Sequence, residues 1–535
     1  MADFDAIVIG SGEGGLTAAL ALARAGRRVI VFEQHYLPGG YSQSFELEGF
    51  RFSPGVHYVG ALGPGKSLRA IYEGLGVAND LVFLEIDPTG YDRVFAGEGR
   101  FDIPAGKEVF AEKLRRAFPA ETAGIDRYFE VVTRLIDEMA WVAPVHGVLD
   151  AAEMALHMPT TLRHGIEPLG RFLDSCTKDP FLRAVLSIQS GDHGMAPSRA
   201  PTSLHAGLQG YYFDGGCYPR GGAHAIPETF VRHVESHGGK VELATRVERI
   251  LVEDGRAIGV RLADGREVRA DIVVSNADPG VTWGQLVEPE HLGFFLRRRV
   301  ERLHWSVSTL SLFMAVEMDL RAAGLDSGNV WWSRTTDVDA AYEYAERAAL
   351  AGDEPIEGLF FNVTTLKDPS LRRDGIHTVE AIAIAGPGPF GRWRETPRGG
   401  RGTEYADLKA ALAERILDAV ETFVPGLRDR VVFKALSTPL TNMHFLNATG
   451  GGIYGTEKTV GNLGPFSFPV KTHLDGLFQC GASTIAPGIN GVTNSGLDAA
   501  AAALDCPREH LLGATGQTLR IFPSEDPSSW PADLR

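Results

Sequence analysis

Residues 4–33 decide the fold, and they read FDAIVIGSGEGGLTAALALARAGRRVIVFE. The apolar run Phe4–Ile9 predicts a buried parallel strand, and the Ala- and Leu-rich run Leu16–Ala25 predicts a helix that ends at Gly26. A second apolar run, Arg28–Phe32, predicts the next strand. Strand, glycine-rich turn, helix and strand in this order are typical of a dinucleotide-binding fold.

The glycines between the first strand and the helix have different expected tasks. Gly10 allows the tight turn, Gly12 lets the backbone approach a pyrophosphate, and Gly15 lets the helix pack closely against the strand. Gly14 lies in the same turn and is included among the expected cofactor contacts. The helix N-terminus directs N–H groups and a partial positive charge towards the phosphates.

Glu33 follows the second strand and indicates which dinucleotide is bound. A carboxylate at this place accepts hydrogen bonds from a ribose diol, which favours FAD or NAD over NADP. The pair Gly39–Gly40 comes soon afterwards. A glycine pair just after the second strand resembles flavoproteins rather than NAD dehydrogenases, so these residues together predict an FAD site.

The rest of the chain contains further strands of the same sheet. From Lys240 onwards, short alternating runs such as Val241–Thr245 are joined by Asp-Gly turns and predict hairpins. The run Ala270–Ala277 predicts a buried strand that returns to the first sheet. Near the C-terminus, Gly476–Ala482 predicts a strand with a tight turn, and Thr493–Leu504 predicts a helix. We expect N–H groups of this last unit to stabilise a reduced flavin.

Composition and charge exclude several kinds of partner. The chain has 535 residues, 44% of them hydrophobic, and is too long for one compact core. A formal net charge of −16 disfavours nucleic acid as a partner, and it disfavours a basic patch that binds anionic lipid. Nucleic acid and anionic lipid are therefore not the expected partners.

Cysteine usage and the N-terminus predict the compartment. The four cysteines are scattered without a C-x-x-C pair, which is typical of reduced thiols, and no metal site is expected. The first residues lack the basic and apolar regions of a signal peptide, and no apolar stretch is long enough to span a membrane. We predict a cytoplasmic protein and leave peripheral membrane contact and oligomeric state open.

Three passages carry a likeness to a known family. The first runs from Pro38 through GFRFSPGVHYVG at residues 49–60. The second spans residues 191–222 and ends in YPRGG, and the third spans residues 437–455 with STPLTN and GIYG. These passages resemble the phytoene-desaturase-like flavoproteins, in the branch of the all-trans-retinol 13,14-reductases (retinol saturases) and the carotenoid isomerases.

The resemblance implies one non-covalently bound FAD and a long apolar polyene or isoprenoid-like substrate. The residues that it places around FAD are Gly10, Gly12, Gly14, Gly15 and Glu33 at the ADP half, Val247 at adenine, Gly39, Gly40 and Ser42 near the pyrophosphate and flavin, and Gly481, Asn490, Gly491 and Val492 over the flavin. The chain departs from the family at Tyr41 and Ala482, where relatives commonly carry Arg and Asp. The pyrophosphate and ribityl contacts are therefore expected to differ there.

The predicted fold is α/β, with a Rossmann-like FAD-binding domain of the amine-oxidase and phytoene-desaturase kind. A mixed α+β substrate domain rich in Leu, Phe and Trp is inserted in two pieces. The predicted pieces are 1–65, 215–288 and 431–506 for the FAD-binding domain, 66–214 and 289–430 for the substrate domain, and 507–535 for a C-terminal tail.

Reduction of a C=C bond needs a hydride from the flavin and a proton from an acid, and desaturation runs the same exchange backwards. Candidates for the acid are His57, Tyr58 and His193, followed by His205 and Tyr211. His57 is preferred because it follows the flavin-side segment and lies between Gly55 and Gly60, which allow close packing. Arg220 is an alternative contact to the flavin or a structural residue.

Three functions stay open at this point. The first is a saturase or desaturase of a carotenoid, retinoid or related lipid, with the saturase-like passages favouring reduction. The second is a redox-neutral isomerase that uses reduced FAD. The third is a lipid-binding protein without flavin chemistry, as in the Rab GDP-dissociation inhibitors, which the intact ADP-binding set disfavours. Since only one complete fingerprint is present, NAD(P)H as electron donor would need a less typical site.

Overall fold

The computed structural model describes residues 2–139, 156–346 and 354–535. The strands are, in chain order, β1 (Phe4–Ile9), β2 (Val29–Phe32), β3 (Phe45–Leu47), β4 (Phe50–Phe52), β5 (Val82–Glu85), β6 (Asp92–Ala96), β7 (Gly99–Ile103), β8 (Cys217–Pro219), β9 (Lys240–Glu242), β10 (Val247–Glu253), β11 (Arg256–Leu262), β12 (Glu267–Ser275), β13 (Ser308–Val316), β14 (Asn329–Ser333), β15 (Gly358–Val363), β16 (His377–Ala385), β17 (Val431–Ser437), β18 (Leu477–Gln479) and β19 (Arg520–Pro523). The principal α-helices are α1 (Glu13–Arg24), α2 (Ser67–Leu75), α3 (Lys107–Ala117), α4 (Thr122–Met139), α5 (Leu169–Asp174), α6 (Pro180–Ser187), α7 (Thr202–Tyr212), α8 (Ala225–Ser236), α9 (Phe294–Glu301), α10 (Asp339–Glu346), α11 (Thr364–Lys367), α12 (Gly402–Glu421), α13 (Pro439–Leu446) and α14 (Gly488–Leu504).

The first sheet contains the dinucleotide-binding strands. β1 lies between β2 and β12, and β9 and β18 continue the parallel arrangement on either side. β10 and β11 extend the sheet in the antiparallel direction. Every residue of β2 is buried, as expected of a strand covered on both faces. The predicted strand–turn–helix–strand unit is confirmed, with α1 beginning at Glu13.

Two local predictions were wrong. The run Val241–Thr245 was expected in a hairpin, but β9 ends at Glu242 and pairs in parallel with β2, because a chain leaving α8 enters the sheet at its far edge. The last helix was expected to begin at Thr493, but α14 begins at Gly488. Gly491 lies inside this helix, where a Cβ would overlap the carbonyl oxygen of Ala486, so close packing explains the glycine.

The second sheet has the order β17-β13-β16-β15-β14-β6-β7, and only the pair β14–β6 is parallel. One face packs against α12 through alternate residues such as Leu312, Phe361 and Ala381. The other face carries Phe360 and Ile382, which line a cavity. The two-residue period of the strands thus separates a packed face from a cavity-lining face.

The sheets do not follow the predicted pieces at every point. β17 falls in the piece 431–506 that was predicted as FAD-binding, yet it pairs with β13 of the second sheet. β19, from the predicted tail, lies parallel to β5 in a small sheet that β8 completes. The domain boundaries stay a prediction.

Among the described residues, no helix combines the length and the apolar character needed to cross a bilayer.

Candidate functional site

A single cavity connects the two sheets. Its volume is about 440 Å³, and it extends from the glycine-rich turn after β1 to the apolar face of the second sheet. Gly12 and Glu33 line one end, and Trp331 and Phe360 line the other. A dinucleotide and an apolar ligand bound here would therefore meet in one space.

The glycine-rich turn leaves no room for side chains. Gly10 has a φ of +90°, in the left-handed region that favours glycine. A Cβ on Gly12 would lie 2.6 Å from Nδ2 of Asn276, and a Cβ on Gly15 would overlap the carbonyl oxygen of Gly10. No side chain caps the first turn of α1, so its N–H groups can bind phosphate oxygens.

Glu33 is held in place by hydrogen bonds from three donors. Its Oε2 accepts from the N–H and the hydroxyl of Ser11, both at 2.8 Å, and its Oε1 accepts from the N–H of His35 at 2.8 Å. The carboxylate is buried and lines the cavity. Because Oε1 keeps an acceptor site, the carboxylate can bind a ribose hydroxyl.

The structure places most of the predicted cofactor residues at the cavity wall and some behind it. Those that line the wall are Gly10, Gly12, Gly14, Glu33, Gly39, Gly40, Ser42, Val247, Gly481 and Val492. Gly15, Asn490 and Gly491 do not, and Asn490 Oδ1 instead accepts a hydrogen bond from the Ser67 hydroxyl at 2.9 Å. Direct contact of each residue with the cofactor stays a prediction.

The chemistry of this end of the cavity fits FAD. An uncapped helix N-terminus faces the phosphate position, and a carboxylate faces the ribose position. Tyr41, where relatives carry Arg, donates its hydroxyl to the carbonyl of Gly452 at 3.0 Å, and burial raises the pKa of Tyr41 so that it stays uncharged. Burial also raises the pKa of Glu13 to about 8, so this side chain brings no negative charge near the phosphates at neutral pH.

His57 lies beside the buried carboxylate of Glu380. Its Nδ1 lies 2.9 Å from Oε2 of Glu380. Oε1 of Glu380 accepts from the Ser53 N–H at 2.7 Å, and Oε2 accepts from the Asn362 amide at 3.0 Å. Burial acts to raise the pKa of Glu380, but the hydrogen bond and charge of His57, together with the hydrogen bonds from Ser53 and Asn362, outweigh it and lower the pKa. His57 lines the cavity, and its partner lies behind it.

Tyr58 lies between two carboxyl groups at the same wall. Its hydroxyl oxygen lies 2.6 Å from Oδ2 of Asp192 and 3.1 Å from Oδ2 of Asp92. Its ring stacks on Tyr212 at a centroid distance of 4.3 Å. The preferred candidates His57 and Tyr58 thus reach the cavity together, each with an acidic partner.

The structure places the other candidate acids less favourably. His193 and His205 lie behind the wall with their rings edge to face, and burial lowers the pKa of both, that of His205 to about 4. Tyr211 lines the cavity. Arg220 donates to the carbonyl of Leu534 at 2.8 Å and so holds the C-terminal segment. A catalytic role for His193 stays a prediction without support from its position.

Several polar residues behind the wall were missed from sequence. Lys367 is fully buried, and its Nζ donates to the carbonyl oxygen of His57 at 2.7 Å and to Asn329 Oδ1 at 2.6 Å. Burial lowers the pKa of Lys367 to about 7. Asn329 in turn donates to Asp92 Oδ1 at 2.8 Å. Only Asp192, inside the family-like passage at residues 191–222, lay near a recognised signal.

Comparison with known proteins settles the family. The family described as "Flavin containing amine oxidoreductase" matches residues 14–349. The chain belongs to the flavin-containing amine oxidoreductases. This flavoprotein is 31% identical to the all-trans-retinol 13,14-reductase of Danio rerio over 483 residues. The alignment covers 86% of this chain and 78% of the relative.

Two further relatives of the flavoprotein extend the comparison. It is 26% identical over 534 residues to the chloroplastic prolycopene isomerase 1 of an Oncidium hybrid cultivar, covering 96% of this chain and 87% of that protein. The structure of an oxidoreductase from Methanosarcina mazei matches with a TM-score of 0.62 at 19% identity, covering 92% and 99% of the two chains, which supports the fold. The predicted fold class and family are confirmed, and the protein is a flavin-dependent oxidoreductase.

The far end of the flavoprotein's cavity is apolar. We use the term apolar chamber for the space that is lined by Val307, Trp331, Phe360, Ile382 and Ile384. The rings of Trp331 and Phe360 meet edge to face with centroids 4.8 Å apart. A chamber of large aromatic and branched side chains binds an apolar ligand by removing its surface from water.

A small group of possible metal ligands lies outside the cavity wall. The ligand atoms of Glu288, Glu290 and His291 lie within 4.8 Å of one another. Glu288 already forms an ion pair with Arg249. The group therefore plays no part in the site described for the flavin.

Proposed function

We propose that this protein uses FAD to reduce a C=C bond in a long apolar polyene of the retinoid or carotenoid type. The observation that carries the proposal is the single cavity, which joins the dinucleotide-binding turn to the apolar chamber. The name of the Danio rerio relative, a retinol 13,14-reductase, supports reduction of a polyene.

The residues of the chain have distinct tasks in this proposal. Bound FAD supplies hydride exchange with the substrate. Trp331 and Phe360 exclude water from the chamber, where a polyene chain would otherwise be solvated. Tyr58 and His57 place proton-carrying groups at the same wall. Reduction needs one proton for each hydride, so such groups are required beside the substrate.

The proposal is tested with purified protein. We expect a flavin absorption spectrum and FAD as the released cofactor. With the flavin chemically reduced under anaerobic conditions, all-trans-retinol or a carotenoid should gain two hydrogens, as measured by mass spectrometry. A product with two hydrogens fewer, formed from the oxidised protein, would instead identify a desaturase.

A redox-neutral isomerase is the second candidate. It is supported by the match to a prolycopene isomerase over 96% of this chain. In the same assay, an isomerase would change the retention time of a cis-carotenoid without changing its mass. That result in place of the gain of two hydrogens would overturn reduction as the function.

The electron donor belongs to the same proposal. NAD(P)H is one candidate donor, and it would need a binding site other than the single fingerprint after β1. Anaerobic mixing of the oxidised protein with NADPH or NADH should bleach the flavin absorption if a nicotinamide donates directly. Persistent absorption with both nucleotides, followed by bleaching with a reduced quinone or ferredoxin, would identify a different carrier.

We further propose a cytoplasmic protein that contacts a membrane through α9. Phe294 and Phe295 at the start of this helix are 66% and 86% exposed, and Arg297 and Arg298 follow them. Leu296 packs against a cluster that contains Leu286, a residue of the cavity wall. Exposed aromatic side chains beside arginines are typical of contact with a lipid surface.

Vesicle flotation tests this contact. The wild-type protein should float with vesicles of phosphatidylcholine and phosphatidylglycerol, and the double variant Phe294→Ser, Phe295→Ser should stay in the soluble fraction. The double variant Val109→Ser, Leu162→Ser removes other exposed apolar side chains and serves as the control. Equal flotation of both variants would overturn a contact through α9.

A further inference from the structure

We propose that Asp192 is the acid that protonates the substrate, and that it shares its proton with Asp92 through the hydroxyl of Tyr58. We call these three residues the proton-sharing group. The inference rests on the proposed reduction, and it names the residue that supplies the proton for this reaction.

The geometry requires an extra proton in the group. The Tyr58 hydroxyl lies within hydrogen-bonding distance of both carboxyl groups, at 2.6 Å from Asp192 and 3.1 Å from Asp92. It has only one hydrogen to donate. If both carboxyl groups were ionised, one of them would face the lone pairs of the hydroxyl without a hydrogen bond, inside the protein. A proton on one carboxyl group removes this conflict, because that group then donates to the hydroxyl.

The surroundings decide which carboxyl group carries the proton. Asp92 accepts further hydrogen bonds from the Gln189 amide at 2.6 Å and from the Asn329 amide at 2.8 Å, which stabilise its ionised form. For Asp192, Tyr58 is the hydrogen-bond partner found among the described residues. Asp92 is therefore the carboxylate of the pair, and Asp192 is the neutral acid.

The pKa shifts of the two carboxyl groups agree with a neutral Asp192 and an ionised Asp92. Burial raises the pKa of Asp192 well above its usual value, and the charge of Asp92 raises it further. Burial raises the pKa of Asp92 only to about 6, because hydrogen bonds from Asn329 and Gln189 oppose the change. At neutral pH the pair therefore holds one proton, and Asp192 holds it.

The position of Asp192 gives that proton access to the substrate. Asp192 is half-buried and lines the cavity, whereas Asp92 is fully buried behind it. A Cβ on the neighbouring Gly191 would overlap the ring of Trp331, so the backbone next to Asp192 lies directly against the apolar chamber.

The step balances in atoms and charge. The π bond of the substrate breaks, one carbon gains a hydride equivalent from the bound cofactor, and the other gains the proton of Asp192 as its O–H bond breaks. Asp192 becomes a carboxylate that accepts the Tyr58 hydroxyl hydrogen bond. After the product leaves, water in the opened cavity returns the proton.

Infrared spectroscopy of the FAD-bound protein tests the shared proton without any turnover. A neutral carboxyl group gives a carbonyl band that shifts in D₂O. Because Glu13 is also neutral at neutral pH and adds a band of its own, we expect the Asp192 band in the difference between the spectra of the wild type and Asp192→Asn. It should persist in Asp264→Asn, since Asp264 lies in an exposed turn and hydrogen bonds from Arg266 lower its pKa. A difference spectrum of wild type and Asp192→Asn that contains no such band would overturn the proposal.

Turnover tests the role of the proton. Asp192→Asn should lower kcat for reduction by about 10²-fold or more, with the flavin spectrum and KM little changed. Tyr58→Phe keeps the ring stacked on Tyr212 but removes the bridge, so it should shift the infrared band and the pH profile of kcat. Wild-type kcat in Asp192→Asn would overturn its role as the acid. If the wild type reduces no polyene, the proposed function fails while the infrared result still decides whether the proton is shared.

Discussion

The two ends of the cavity are built in different ways. At the dinucleotide end, the turn after β1 uses backbone atoms that are contiguous in the chain, and its limits are steric, because a Cβ on Gly12 or Gly15 would clash. At the chamber end, the wall between His57 and Asp192 uses side chains from several strands, and its limits are electrostatic. The first end tolerates no added atom, and the second tolerates no unpaired charge.

The largest expected effect comes from Glu13, an acidic residue placed within the sterically limited end. Its pKa is about 8 in the folded protein and 4.5 as the unperturbed value, so the folded state holds a proton that the unfolded state has lost. Between these values the free energy of unfolding should fall with rising pH by about 1.4 kcal/mol per unit. Glu13→Gln should remove this slope.

The measurement for Glu13 is thermal or denaturant unfolding of wild type and variant from pH 5 to pH 8. The matched control is Glu395→Gln, because the side chain of Glu395 is 95% exposed. If the free energy of unfolding changes with pH in the same way in the wild type and in Glu13→Gln, then Glu13 is not buried as a neutral acid.

The second largest effect should come from Gly15→Ala. The added Cβ would overlap the carbonyl oxygen of Gly10 and push α1 away from the turn. Overpacking of this kind costs up to about 3 kcal/mol, so FAD affinity should fall by about 10²-fold. Flavin fluorescence titration of the apoprotein measures the change. Gly391→Ala, at a glycine with nothing within 4 Å of the added carbon, should bind FAD normally.

A smaller effect is expected when the ribose contact alone is removed. Glu33→Ala should weaken FAD binding by about 1.5–3 kcal/mol, the usual value of hydrogen bonds to a charged group, with the fold intact. The same titration measures it, and circular dichroism verifies the fold. Glu242→Ala, an exchange on the neighbouring strand β9, is the control. Unchanged affinity in Glu33→Ala would place the ribose elsewhere.

The smallest effect should come from the chamber end. Ile382→Asn adds a polar group to the apolar chamber and should raise KM for a polyene by about tenfold, because the buried amide lacks a partner. Flavin affinity should stay as in the wild type. Val432→Asn changes a half-exposed residue of β17 and should leave KM unchanged. An unaltered KM in Ile382→Asn would mean that the substrate does not enter the chamber.

The dinucleotide end could be predicted from sequence because its signals are local. Gly10, Gly15 and Glu33 lie within one strand–helix–strand unit, and each has a conformational or chemical reason to occur there. The misplaced start of α14 shows the limit of this reasoning. Glycine is common in turns, but Gly491 shows that it also occurs where a helix packs closely against another segment.

The polar wall of the chamber could be predicted only in part. His57 and Tyr58 lie in one family-like passage, but Asp92, Lys367 and Glu380 come from β6, α11 and β16. A buried charged residue looks like a surface residue in sequence, since its environment depends on which strands pair. Nothing local to Lys367 indicated that it would contact the backbone of His57.

The pairing of β19 with β5 has a consequence for biosynthesis. Asn79, beside β5, and Gln517, beside β19, are joined by a hydrogen bond across 438 positions of the chain. During synthesis on the ribosome, β5 therefore cannot pair with β19 until nearly all of the described chain has been made. Loop closure over such a separation is slow, and an unpaired strand edge can recruit other chains meanwhile. The yield of folded protein should accordingly depend on what shields β5 during synthesis.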